Sequence, residues 1–78
     1  MEKLWFTLEN ITYDKPTRRL EGNSTDGVYL GLMAAYLPEE IDDSALTQGI
    51  TVRILAGPGM TMSLPPQLMG VTMIEVLK

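Results

Sequence analysis

The side chains that most often do chemistry are missing from this 78-residue chain, which has no His and no Cys. That removes the commonest general base, the thiol nucleophile, thiolate metal ligands and any disulfide. Lys3, Lys15 and Lys78 are its only lysines, and none stands in a recognisable nucleophile motif. The sequence therefore reads as non-enzymatic. Four carboxylates do cluster, at Glu39, Glu40, Asp42 and Asp43. Such a group could hold a hard divalent cation through oxygen, but it lacks the Asp-x-Asp-x-Asp-Gly spacing that wraps a loop around calcium. Two plainer readings stand beside it. One is a solvated first helical turn whose charge offsets the helix dipole. The other is a steering patch for a basic partner protein.

Met60 and Met62 have a spacing that puts two thioethers on one strand face, which copper(I) could use. With no His or Cys to complete the set, adaptable core filling or a plastic protein-binding surface is the better reading of the Met60, Met62, Met69 and Met73 group. Gly57-Pro58-Gly59 has no Lys or Arg and leads into an alternating run rather than a helix, so it is a turn and not a phosphate loop. Trp5 and Tyr13 could stack on bases, but no basic groove flanks them. Only Lys15, Arg18 and Arg19 cluster as bases, too few to neutralise many phosphates. No nucleic acid, cofactor or metal is expected.

Length and composition narrow the class further. The formal charge is −4, from 10 acids and 6 bases. Setting aside the four clustered acids leaves 10 − 4 = 6 acids against the 6 bases, so the chain is near neutral with one acidic knob. It contains no run of about 18 apolar residues and no membrane span is expected. The N-terminal stretch is interrupted by charge, unlike a secretory signal, and the lack of Cys suits a reducing cytoplasm. A single domain of this size is expected to have a stability of only about 3–5 kcal/mol unless something staples it. Without disulfide or metal, the remaining staple is association, with another protein or as a homo-oligomer.

The elements that must position these residues are read from periodicity. In residues 49–64, Ile50, Val52 and Ile54 alternate with Thr51 and Arg53, and Met60, Met62 and Leu64 alternate with Thr61 and Ser63. With Gly-Pro-Gly between the two runs, this predicts a β-hairpin with one buried face. Arg53 points to solvent or pairs across the strands with Glu75. Residues 3–13 read as a first strand whose parity flips after Asn10, and a bulge there would return Ile11 and Tyr13 to the inner face. After a turn at 14–17, residues 18–21 read as a short edge strand, and 22–27 as a loop with good N-cap residues. Residues 28–37 are apolar all round. Ala, Leu and Met favour helix while Gly31, Tyr29 and Tyr36 favour strand, and the composition tips towards helix. Pro38 can start a further helical turn, with Gly49 as its C-terminal stop. Residues 70–77 form a last strand, apolar on both faces, central in the sheet or shared with a partner.

These readings assemble into a single α+β domain over residues 1–78, mainly β. It should have about five mostly antiparallel strands and one or two short helices in the middle third. The expected core is Leu4, Phe6, Leu8, Val52, Ile54, Met62, Leu64, Met73, Ile74 and Val76. The expected function is a small cytoplasmic protein-binding module, a regulator, inhibitor or assembly subunit. Its contact residues would be Tyr29, Leu32, Met33, Tyr36, Glu39, Glu40, Ile41, Asp42 and Asp43. The alternative is a small ligand- or divalent-metal-binding domain built on residues 39–43.

Overall fold

The computed structural model describes residues 2–25, 29–57 and 59–77. Six strands form one sheet: β1 (Leu4–Asp14), β2 (Arg19–Ser24), β3 (Gly31–Tyr36), β4 (Val52–Ala56), β5 (Gln67–Leu68) and β6 (Met73–Val76). Their order is β5-β3-β2-β1-β4-β6. All neighbours are antiparallel except β3 and β5, which run parallel.

β1 is the spine. Its first half, from Leu4 to Leu8, pairs with β4, and its second half pairs with β2. Leu8 pairs on both sides, and Asn10, with φ 54, lies where the register to β2 shifts. This is the expected bulge, and Ile11 is fully buried beyond it. Asn is one of the few non-glycine residues that tolerate this backbone region. The bend brings β1 so close to β2 that a Cβ on Gly22 would lie 2.9 Å from the Leu8 Cβ and 3.0 Å from the Ile11 Cγ2. The amide of Gly57, just after β4, donates to Met69 O, just after β5, at 2.8 Å and so links the two sides of the sheet. The curled sheet encloses Phe6, Leu8, Ile11, Leu20, Met33, Ala35, Leu37, Val52, Ile54, Ala56, Leu68 and Val71.

Three expectations are corrected. The described residues contain no helix, and so none long and apolar enough to cross a membrane. The middle third is instead β3 followed by a loop over 37–51. Within 28–37, Val28 lies outside the described residues; Gly31–Tyr36 make six pairs to β2, and a segment apolar on all sides can be buried as either element. The carbonyls of Leu37, Pro38 and Ile41, which a helix here would use internally, are taken by the guanidinium of Arg18. Asp42 bonds the Ser44 amide at 3.0 Å, the kind of local bond that competes with helix.

The hairpin over 49–64 does not form. β4 is already paired on both sides, by β1 and β6. The second run folds on itself: Thr61 N donates to Gln67 O at 2.9 Å, Gln67 N to Thr61 Oγ1 at 3.0 Å, and Met60 bridges Leu68. Pro65 and Pro66 have no amide to give to a ladder, and the Leu64–Pro65 peptide is cis. Of the proposed turn 57–59, Pro58 lies outside the described residues.

The third correction concerns edges and core. Residues 19–24 form an interior strand, where 18–21 were expected at an edge and 22–24 in a loop, and the last strand is an edge and not central. Of the expected core, Phe6, Leu8, Val52 and Ile54 are buried and Ile74 packs against them, whereas Leu4, Met62, Leu64, Met73 and Val76 are exposed.

Candidate functional site

The residues expected to bind a partner differ in their exposure. Tyr29 precedes β3, Leu32 lies near its start and Tyr36 at its end, about 13 Å beyond Leu32 at the rise of an extended chain. Leu32 and Tyr36 are exposed, but Met33 is fully buried in the core and cannot meet a partner. Glu39, Glu40 and Asp42 are exposed, while Ile41 packs against the core.

Asp43 is turned inward, and it organises the end of the sheet. Its Oδ2 accepts from the Tyr13 hydroxyl at 2.6 Å and from Arg18 Nη1 at 3.2 Å, and its Oδ1 lies 3.5 Å from Lys15 Nζ. Arg18, at the end of the β1–β2 turn, has φ 59. Its Nε donates to Leu37 O at 3.1 Å, and its Nη2 to Pro38 O at 2.8 Å and to Ile41 O. Its own carbonyl accepts the Leu37 amide at 2.9 Å. The hydrogen bond from Tyr13, with Lys15 and Arg18 beside it, holds the Asp43 carboxyl below the usual carboxylate range. Burial, reinforced by the bond to Asp43, pushes the Tyr13 hydroxyl up to about 12. The Ser44 amide likewise lowers Asp42. This knot joins the β1–β2 turn to the β3–β4 loop. Among the described residues no three acidic side chains are grouped to hold a metal ion.

Beside the knot lies an open polar cleft of about 390 Å³ lined in part by Thr12, Asp14, Arg19, Glu21 and Tyr36. Arg19 and Glu21 are paired within it, which raises the Arg19 pKa, and the guanidinium carbon stands 5.9 Å from the centre of the Tyr36 ring. Arg19 and Glu21 are thus matched to each other, and the Asp14 carboxylate accepts from the amide and hydroxyl of Thr17.

A second concavity is apolar. A groove of about 290 Å³ runs between Tyr29 and the loop of Met60, Met62, Leu64 and Pro66. Ala34 N donates to Pro66 O at 3.0 Å, fixing the loop against β3. Met62 is 99% exposed and Leu64 95%. Leu30, 70% exposed, adjoins Tyr29 in the chain. For Met62 the exposure agrees with the reading of the methionines as a plastic surface and overturns the core reading, whereas alternation marked Leu64 only as part of a buried strand face. The signal that identifies this surface is different: from residue 54 to residue 74 the chain has no charged side chain.

On the outer face of the sheet, Trp5, Leu55 and Met73 lie side by side across β1, β4 and β6. The next row holds Arg53, which donates to Glu75 Oε1 from Nη2 at 2.7 Å and sits 4.0 Å over the Trp5 ring. The cross-strand pair read from the sequence is therefore present, and it covers Trp5 as well. No family model matches the chain, and no curated protein or solved structure does.

Proposed function

We propose that the chain is a small, non-enzymatic, cytoplasmic protein-binding module, and that the apolar groove beside residues 59–66 receives an uncharged, apolar segment of another protein. The observation that carries this is the outward display of Met62 and Leu64, almost wholly exposed, beside a groove bounded by Tyr29 and Met60. Exposed apolar groups that are contiguous and held on an ordered loop are a mark of interaction sites. Methionine suits such a site because its unbranched thioether adapts to the surface it meets. The absence of charge from 54 to 74 selects against a strongly charged occupant, which would be desolvated there without a counter-charge.

The acidic residues take a smaller part than their number suggests. Asp43 is committed to Tyr13, Arg18 and Lys15, leaving Glu39, Glu40 and Asp42 as a solvated patch that steers rather than binds. The metal-binding alternative loses its fourth carboxylate to the same knot.

The test is a paired substitution, Met62→Asp with Leu64→Asp, in a pull-down from the source cell. Both side chains are in solvent, so stability should change by less than about 0.5 kcal/mol. A partner captured by the wild type should be lost. Retention of every partner by a folded double variant would refute this surface as the binding site.

A further inference from the structure

We propose that the free edge of β6 is a self-association site, where two copies of this chain pair antiparallel about a two-fold axis through Ile74. This does not rest on the apolar groove, which lies beside β3 and β5. The two ends of the sheet differ. β5 has its outer side bridged by Met60, whereas β6 ends the sheet with no further strand beside it among the described residues.

The direction of the main chain follows from register. Leu77 N donates to Thr51 O at 2.8 Å, and Arg53 and Leu55 lie opposite Glu75 and Met73. Hydrogen-bonding direction alternates along an antiparallel strand. The odd-numbered residues of β6 thus face β4, and the N–H and C=O of Ile74 and Val76 point off the edge. Such a row is a template for another strand. Two customary protections are missing, since β6 has no Lys and no Pro; its one irregularity lies just before it, where Thr72 N also turns to Leu55 O, at 2.9 Å. Its one charge, Glu75, is already held by Arg53, and Met73 and Val76 are each nearly half exposed.

Self-complementarity selects a second copy as the occupant. A two-fold axis normal to the sheet keeps inner faces inner, so only residues of the same parity can stand opposite one another. Centring the axis on Glu75 would set two carboxylates directly opposite, which is unfavourable. Centring it on Val76 would leave much of β6 unpaired. Centring it on Ile74 sets Ile74 against Ile74 and Met73 against Glu75. The inner row Phe6–Ile54–Ile74 then runs unbroken into the same row of the second copy, and each Glu75 keeps its own Arg53. Four-residue strands bury well under the ~1,200 Å² of a standard interface, which places this dimer in the weak, reversible class.

Sedimentation velocity on the wild-type chain from about 10 μM to about 1 mM should show a concentration-dependent shift from monomer to dimer. Val76→Pro removes an amide that points off the edge and spares the Leu77 bond to Thr51; it should weaken association at least about tenfold while the near-UV circular dichroism stays native. Because the chain has no Cys, cross-linking can read the register even if that variant fails to fold. Met73→Cys mixed with Glu75→Cys should form disulfide dimers several-fold faster than either variant alone. A monomer at the highest concentration would overturn the proposal. So would a folded Val76→Pro variant that associates as before, or a mixture that cross-links no faster than its components.

Discussion

Arg18 combines an unfavourable backbone with a side chain that ties two loops together, and these can be separated by substitution. Its φ of 59 lies in the left-handed region, which costs a non-glycine residue about 1–2 kcal/mol. Its guanidinium reaches the carbonyls of Leu37, Pro38 and Ile41 and the carboxylate of Asp43. A hydrogen bond to a charged group contributes about 1.5–3 kcal/mol. The four do not add, because the side chain is 24% exposed and water can reach some of the released carbonyls. A net loss of about 2–3 kcal/mol is expected for Arg18→Ala, most of the ~3–5 kcal/mol available to a chain of this size. That corresponds to a fall in Tm of about 10–20 °C. Arg18→Gly loses the same contacts but relieves the backbone, so it should recover about 1 kcal/mol relative to Arg18→Ala. Arg18→Lys should recover little, since an ammonium cannot reproduce the fork. The assay is urea unfolding of the four proteins, with amide exchange followed at Leu37 and Ile41, whose N–H groups bond Arg18 O and Pro38 O. The expected order of stability is wild type, then Arg18→Gly, then Arg18→Ala. If Arg18→Gly proved more stable than wild type, backbone strain alone would matter and the knot would contribute nothing.

Gly22→Ala should destabilise by about 1–3 kcal/mol in urea unfolding, because the new methyl meets Leu8 and Ile11 where β1 bends. For Tyr13 the folded pKa is raised from 10.0 to about 12, so its contribution is present below pH 10 and is lost as pH rises from 10 to 12. The Tm of the wild type should fall more across that range than that of Tyr13→Phe. Asp43 has the opposite sign. Its pKa is lowered from 3.8, so its contribution is present above that pH and lost as pH falls below it, and Asp43→Asn should flatten the acid limb of a pH–Tm curve. Arg53→Ala removes both the Trp5 stack and the Glu75 pair; at this half-exposed site about 0.5–1 kcal/mol is expected, measured by thermal melting.

Period-two alternation was a good guide where a strand had a solvent side. It placed Phe6, Leu8, Val52 and Ile54 inward and located the bulge at Asn10. It could not distinguish helix from strand in 28–37, where no side was polar. It was misleading in 60–64, where the alternation was real but Pro65 and Pro66 denied the segment a ladder. The Arg18 knot was illegible for another reason. Its partners lie 19 to 25 residues away, and an arginine on a turn gives no local sign that it will be bent back over a loop. The acidic run was visible at once, yet composition could not tell that Asp43 alone would be drawn inward. The exposure of Leu64 was hidden by an alternating pattern that resembled a core strand, while Met62 was legible as surface only through the adaptability of methionine.

The stack of Arg53 on Trp5 also gives the molecule a built-in reporter. Trp5 is the only tryptophan in the chain, it belongs to β1 at the centre of the sheet, and the cation above it is held by a residue of β6. Detachment of the outermost strand would free that cation and change the indole's surroundings while the rest of the sheet stayed paired. Stopped-flow fluorescence can therefore time the arrival of β6 separately from the formation of the enclosed core, which circular dichroism follows. Coincident signals would mean that the edge closes with the rest of the sheet, and a lagging fluorescence phase would mean that it docks last.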